Sequence, residues 1–128
     1  NLVAFKNDDV DVKDIAVARF EGKVPPPYRA MPLLREDTSL KNGAEVTIAG
    51  YGYSHYSGGH KAGAGTLRTV TMRITDADSA QTEVLIANGE TGTCPIDSGG
   101  PGFIEINGTH YLWGATSRSS VSTPCGAG

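Results

Sequence analysis

The chain reads as an all-β protein, for three reasons. Seventeen glycines and seven prolines punctuate its 128 residues. Its apolar residues fall in short runs that alternate with polar ones, the period-two pattern of strands with one buried face. The helical pattern of apolar residues three and four apart is poor throughout.

The elements follow in order. Leu2 to Phe5 is an apolar start, far too short for a signal peptide. Lys13 to Phe20 (KDIAVARF) reads as a strand with an acidic beginning. Pro25, Pro26 and Pro27 then end any strand, because proline lacks the N–H a ladder needs, and they make a polyproline-like connector. Leu33 to Gly43 is polar, carries the turn signal Asn42-Gly43, and reads as a linker. Glu45 to Ala49 (EVTIA) alternates as a strand. Gly50 to Gly65 holds six glycines, Tyr51, Tyr53, Tyr56, His55 and His60, and is expected to be a long mobile loop. Leu67 to Thr75 (LRTVTMRIT) alternates over its whole length and is the clearest strand. Val84 to Ala87 is a short apolar strand. Phe103 to Ile106 and Tyr111 to Thr116 flank Asn107-Gly108, a hairpin signal. Asn107-Gly108-Thr109 also fits an N-glycosylation acceptor, and a tight turn explains the same residues equally well.

Composition excludes several function classes. Charged residues are 20% of the chain and the net charge is −3, too mild to suggest a nucleic-acid partner. No run approaches the ~18 apolar residues of a membrane span. Cys94 and Cys125 form no CxxC and no Cys/His cluster at zinc spacing. On spacing alone they are either one disulfide of an oxidising compartment or two separate thiols. His55 and His60 lack a third ligand, so neither a metal nor another cofactor is expected.

One segment carries chemistry: Gly92-Thr93-Cys94-Pro95-Ile96-Asp97-Ser98-Gly99-Gly100-Pro101. Glycines let a backbone approach a substrate closely and aim N–H groups at a developing oxyanion. A serine between them is exposed for nucleophilic attack. A DSGG tetrapeptide taken alone also occurs on ordinary surface loops.

Asp97-Ser98-Gly99-Gly100-Pro101, with Cys94 just upstream, resembles the nucleophile loop of the chymotrypsin/trypsin family of serine endopeptidases. Four further segments agree in order: Asp14-Ile15-Ala16-Val17 resembles the strand of the catalytic Asp, Ile48-Ala49-Gly50-Tyr51-Gly52 a conserved strand-to-loop passage, Gly65-Thr66-Leu67-Arg68 the start of the next strand, and Asn107-Gly108 followed by Gly114-Ala115-Thr116-Ser117 the hairpin leading to the substrate-binding strand. The resemblance implies a chymotrypsin-like double β-barrel. Residues 1–32 would end the first barrel, 33–43 would link the barrels, and 44–128 would make most of the second, without its last strand and helix.

The resemblance also implies roles. Ser98 is the nucleophile. Asp14 orients and supports a histidine that takes the serine proton. The backbone N–H groups of Ile96 and Ser98 form the oxyanion hole. Asp97 accepts an ion pair from the new N-terminal ammonium of a clipped zymogen. Cys94 pairs with Cys125, and Gly92, Thr93, Ser117, Arg118 and Ser119 shape the specificity pocket. Asp14 is the most apolar-flanked acid of its stretch, which favours burial beside a partner.

The pattern departs in three places. The family's histidine precedes the Asp, whereas His55, His60 and His110 all follow Asp14. The base is therefore expected from an N-terminal half, as a missing segment or a second chain. Ile96 stands where the family has Gly, and a β-branched residue resists an unusual backbone angle there. Gly92 stands where trypsin-like members carry an Asp, Arg118 where a Trp is usual, and Ser119 where a pocket wall has Gly. Ser119 would narrow the pocket and Arg118 would add positive charge beside a bound peptide. The expected function is hydrolysis of peptide or protein substrates by a secreted or periplasmic serine endopeptidase. The alternative is a catalytically inactive homologue acting as a binding or scaffold protein.

Overall fold

The computed structural model describes residues 2–5, 14–36, 38–79, 83–87 and 92–118. These form nine strands: β1 (Leu2–Phe5), β2 (Ile15–Ala18), β3 (Glu45–Gly50), β4 (His55–Ser57), β5 (His60–Ala62), β6 (Arg68–Ser79), β7 (Glu83–Ala87), β8 (Pro101–Ile106) and β9 (Thr109–Ala115). The described residues are all-β, and every strand pair is antiparallel.

Five strands make the main sheet, in the order β7-β6-β3-β8-β9. Alternation sets its buried face. Val46 and Ile48 of β3 point inward between Glu45 and Thr47, and Met72 and Ile74 of β6 point inward between Thr71 and Arg73. The register pairs Val46 with Met72 and Ile48 with Val70, so one apolar face runs across both strands. Ile104 of β8 completes the core, with Leu34, Val70, Val84 and Trp113 packed against it. Removing each such side chain from water contributes ~1.5–3 kcal/mol. On the outer face Arg73 meets its partner Glu45 at 2.5 Å. Both groups are well exposed, so the pair adds little.

β9 is an edge strand, and the linker lies against it. Leu34 N–H donates to Leu112 O and Leu112 N–H to Pro32 O, both at 2.9 Å. The expected hairpin forms between β8 and β9, with Asn107 (φ 51°) and Gly108 (φ 76°) both left-handed, as a two-residue primed turn requires.

One expectation needs correction, and one segment gains an assignment. The Gly50 to Gly65 stretch is not one long loop: β4 and β5 pair within it around Gly58-Gly59, whose φ values of 56° and 84° again suit a primed turn. Leu2 to Phe5 is a strand, paired residue for residue with β2. β2 itself is exposed along its whole length, as are Phe20, Val24 and Tyr28 beyond it.

Candidate active site

The loop from Gly92 into Pro101 leads into β8 and is built from two consecutive turns. In the first, Asp97 N–H donates to Cys94 O at 3.1 Å, Pro95 is second and Ile96 third, with a φ of 74°. That is the pattern of a type II turn, whose third position favours glycine. For isoleucine a left-handed angle costs ~1–2 kcal/mol. The unusual backbone expected at Ile96 is therefore present, and its side chain is 61% exposed. In the second turn Gly100 N–H donates to Asp97 O at 2.9 Å. Gly99 N–H to Thr116 O (2.7 Å) and Thr116 N–H to Gly100 O (2.8 Å) then fasten the loop to the end of β9.

Asp97 is turned inward. Its Oδ1 accepts from Gly52 N–H at 2.7 Å and its Oδ2 from Cys94 N–H at 2.8 Å. Glycine is needed at 52 for space: a Cβ there would lie 2.5 Å from Asp97 Cγ. A Cβ at Gly50 would collide with the same carboxylate. The Ile48–Gly52 passage is thus the seat of Asp97.

Ser98 is exposed, and its Oγ donates to Ser117 O at 3.2 Å. Ser117 Oγ donates to Asp14 Oδ2 at 2.9 Å. Ser98, Ser117 and Asp14, remote in sequence, come together on hydrogen bonds. Asp14 is exposed rather than buried, and Ser117 is its partner among the described residues. Sequence reasoning assigned Ser117 to the pocket and missed this bond. A lone serine after a strand gives no signal of a carboxylate a hundred residues away.

From Cys94 to Gly100 the backbone N–H groups of the loop divide in two. Those of Cys94, Asp97, Gly99 and Gly100 are spent on protein acceptors. Those of Ile96 and Ser98 make no hydrogen bond among the described residues. Two unspent donors flanking an exposed hydroxyl can hold an oxyanion.

Gly92 and Thr93 are half-buried and line a cavity with Ile48, Gly52, Cys94 and Asp97. Behind Gly92 stands the methyl of Met72, 3.9 Å from where a Cβ would be. Arg118 is ion-paired with Glu83 at 2.8 Å, so its charge is countered rather than open. Cys94 is buried and is not a free thiol. Cys125 and Ser119, and with them the expected pairing and pocket wall, lie outside the described residues.

No histidine joins the site among the described residues. His55 and His60 are exposed on β4 and β5. His110 faces Glu105 at 3.6 Å near the Asn107-Gly108 turn. It stands seven positions before Ser117, roughly 20 Å along an extended chain.

An all-β chain whose glycine-framed serine loop is fastened to the end of a sheet strand and reaches a carboxylate on a separate strand pair has the architecture of the chymotrypsin-fold serine hydrolases. The family model described as Trypsin matches residues 3–128, and the chain belongs to that family of serine proteases. A search of curated protein sequences found no match.

Proposed function

We propose that the chain supplies the nucleophile half of a serine endopeptidase. Ser98 Oγ attacks the scissile carbonyl while a histidine, contributed by a segment outside these 128 residues, takes its proton. That histidine then protonates the leaving amine, and water releases the acyl group from Ser98 by the same route in reverse. Asp14 orients the imidazole, and the N–H groups of Ile96 and Ser98 hold the oxyanion. The observation that carries this reading is the run Ser98–Ser117–Asp14 beside two unspent amides.

Further parts of the reading rest on the family. Residues 1–32 finish a first barrel whose other strands belong to an N-terminal half, 33–43 link, and 44–128 build the second barrel. The exposed apolar side chains Ile15, Val17 and Phe20 suit that half as their cover. Cys94 pairs with Cys125 and braces the pocket. Asp97, at the cavity wall, accepts the ammonium of a clipped precursor. The protein acts outside the cytoplasm. Gly92 backed by Met72 offers a Lys or Arg side chain no counter-charge, and an unpaired buried cation costs several kcal/mol. Neutral residues before the cleaved bond are therefore preferred, with Ser119 narrowing the pocket.

A fluorophosphonate probe tests the reading. The complete protein labels at Ser98, and Ser98→Ala does not label. The 128-residue chain alone cleaves peptides ~10⁴-fold or more slowly for lack of its base. A homologue that had lost catalysis would leave the complete protein unlabelled. Dominant cleavage after Lys or Arg in a peptide library would overturn the pocket assignment.

A further inference from the structure

The motif Asn107-Gly108-Thr109 has no part in the protease reading. Its two explanations, a tight turn and an N-glycosylation acceptor, are not rivals in the folded chain, because they call on different atoms. The turn uses main-chain angles: Asn107 (φ 51°) and Gly108 (φ 76°) are both left-handed, and Ile106 pairs with Thr109 across the hairpin. The acceptor uses the Asn107 side-chain amide and the Thr109 hydroxyl, with any residue but proline between them. The fold spends neither group. Asn107, Gly108 and Thr109 are all exposed, and the Asn107 and Thr109 side chains make no hydrogen bond among the described residues. A strand start at 109 would accept any β-branched residue, so the fold gives no use to the hydroxyl that the acceptor pattern requires.

The surroundings leave room for a large group. The middle residues of a two-residue turn project from the end of the sheet into solvent. Ile106, which packs on the rim of the core, and Thr109 flank the position on the two paired strands. The place is remote from the chemistry: Thr109 opens β9 and Ser117 lies eight positions on, roughly 25 Å along an extended chain. It also adjoins the first residues of β9, the stretch of that edge before Leu112, where the Pro32 to Leu34 linker is bonded.

Resting on the reading that the protein acts outside the cytoplasm, we propose that Asn107 carries an N-linked oligosaccharide at the tip of the β8–β9 hairpin. The step is a group transfer. Asn107 Nδ2 attacks the anomeric carbon of an oligosaccharide carried on a polyisoprenyl pyrophosphate. The bond from that carbon to the pyrophosphate oxygen breaks, the pyrophosphate leaves with the electron pair, and one amide proton passes to a base of the transferase. The product keeps the turn, because no main-chain atom changes. The first sugar has the methyl groups of Ile106 and Thr109 beside it, and the rest of the chain extends into water over the open start of the β9 edge. A bulky, solubilising group at that place hinders another strand from pairing there.

The test uses the complete protein from its native source, together with Thr109→Ala and Thr109→Ser made in the same cells. Each sample is digested with peptide N-glycanase in water enriched in heavy oxygen, beside an enzyme-free control, and the peptide containing residue 107 is weighed. In the wild type it is expected to appear as heavy aspartate only after the enzyme, since spontaneous deamidation of Asn-Gly appears in the control as well. Thr109→Ala is expected to lose the signal and Thr109→Ser to keep it, while Asn107-Gly108 and its turn stay intact in both. An unmodified Asn107 in protein recovered outside the cell overturns the proposal and leaves the location standing. An unmodified Asn107 in protein confined to the cytoplasm overturns both. A heavy aspartate that survives in Thr109→Ala also overturns the proposal, because the modification would then not read the hydroxyl.

Discussion

The Ser117 hydroxyl and Gly52 act on the site without touching Ser98 Oγ. Ser117 steadies Asp14 through one exposed hydrogen bond of 2.9 Å, for which water competes. A bond of that kind contributes ~0.5–1.5 kcal/mol, so Ser117→Ala should lower kcat of the complete enzyme by about tenfold or less. On the proposed mechanism, in which Asp14 orients the base, Asp14→Asn should cost ~10⁴-fold. Steady-state kinetics on the two variants separates a steadying role from a triad role, and equal losses would contradict it. Gly52 is different because it fails by collision. An alanine Cβ would press on Asp97 Cγ at 2.5 Å and displace the carboxylate from two main-chain donors. Gly52→Ala should destabilise the fold by ~1–3 kcal/mol in denaturant titration and slow labelling of Ser98 in parallel.

Among the elements, the alternating strands were legible in sequence because each buries one face. Val46 and Ile48, or Met72 and Ile74, recur at period two, and the structure turns those residues into the core. β4 and β5 were not legible: they are three residues each and His55, His60, Lys61 and Ala62 are exposed, so no burial pattern marks them. β1 was hidden for another reason, since its partner β2 lies a stretch of acidic chain away and its pairing is set by register rather than by local pattern. At the site the loop motif was legible through its glycines and Asp97, whereas the Ser117–Asp14 bond was not. The linker carries a measurable element of its own. Glu36 accepts hydrogen bonds from the Thr38 and Ser39 hydroxyls and from Thr38 N–H, and the Thr38 hydroxyl above all holds its carboxyl below the usual carboxylate range. A lowered folded pKa means that the ionised form is the one favoured by folding. The contribution is complete above the unfolded-state pKa and is lost as pH falls through the lower folded value. The Thr38 amide proton should accordingly titrate with a midpoint below that of a free glutamate by NMR, and Glu36→Gln should abolish the transition.

At the scale of the whole molecule, the buried Cys94 and the β9 edge of the sheet bear on durability. If Cys94 pairs with Cys125, non-reducing peptide mapping should recover the two in one fragment, and their double replacement by Ser should cost ~2–5 kcal/mol. Fragments that separate without reductant would exclude the pair. The edge is governed by the short strap from Pro32 to Leu34. A bare edge strand is a template on which other chains can pair. The strap occupies both main-chain groups of Leu112, midway along β9, and so divides the edge into two pieces too short to recruit another strand. The expected consequence is colloidal: two main-chain hydrogen bonds limit how much of the β9 edge another chain can pair with. Leu34→Pro, which deletes one of those donors, should raise self-association in sedimentation velocity, while Arg35→Gln, one residue on and outside the strap, should leave the protein as soluble as before.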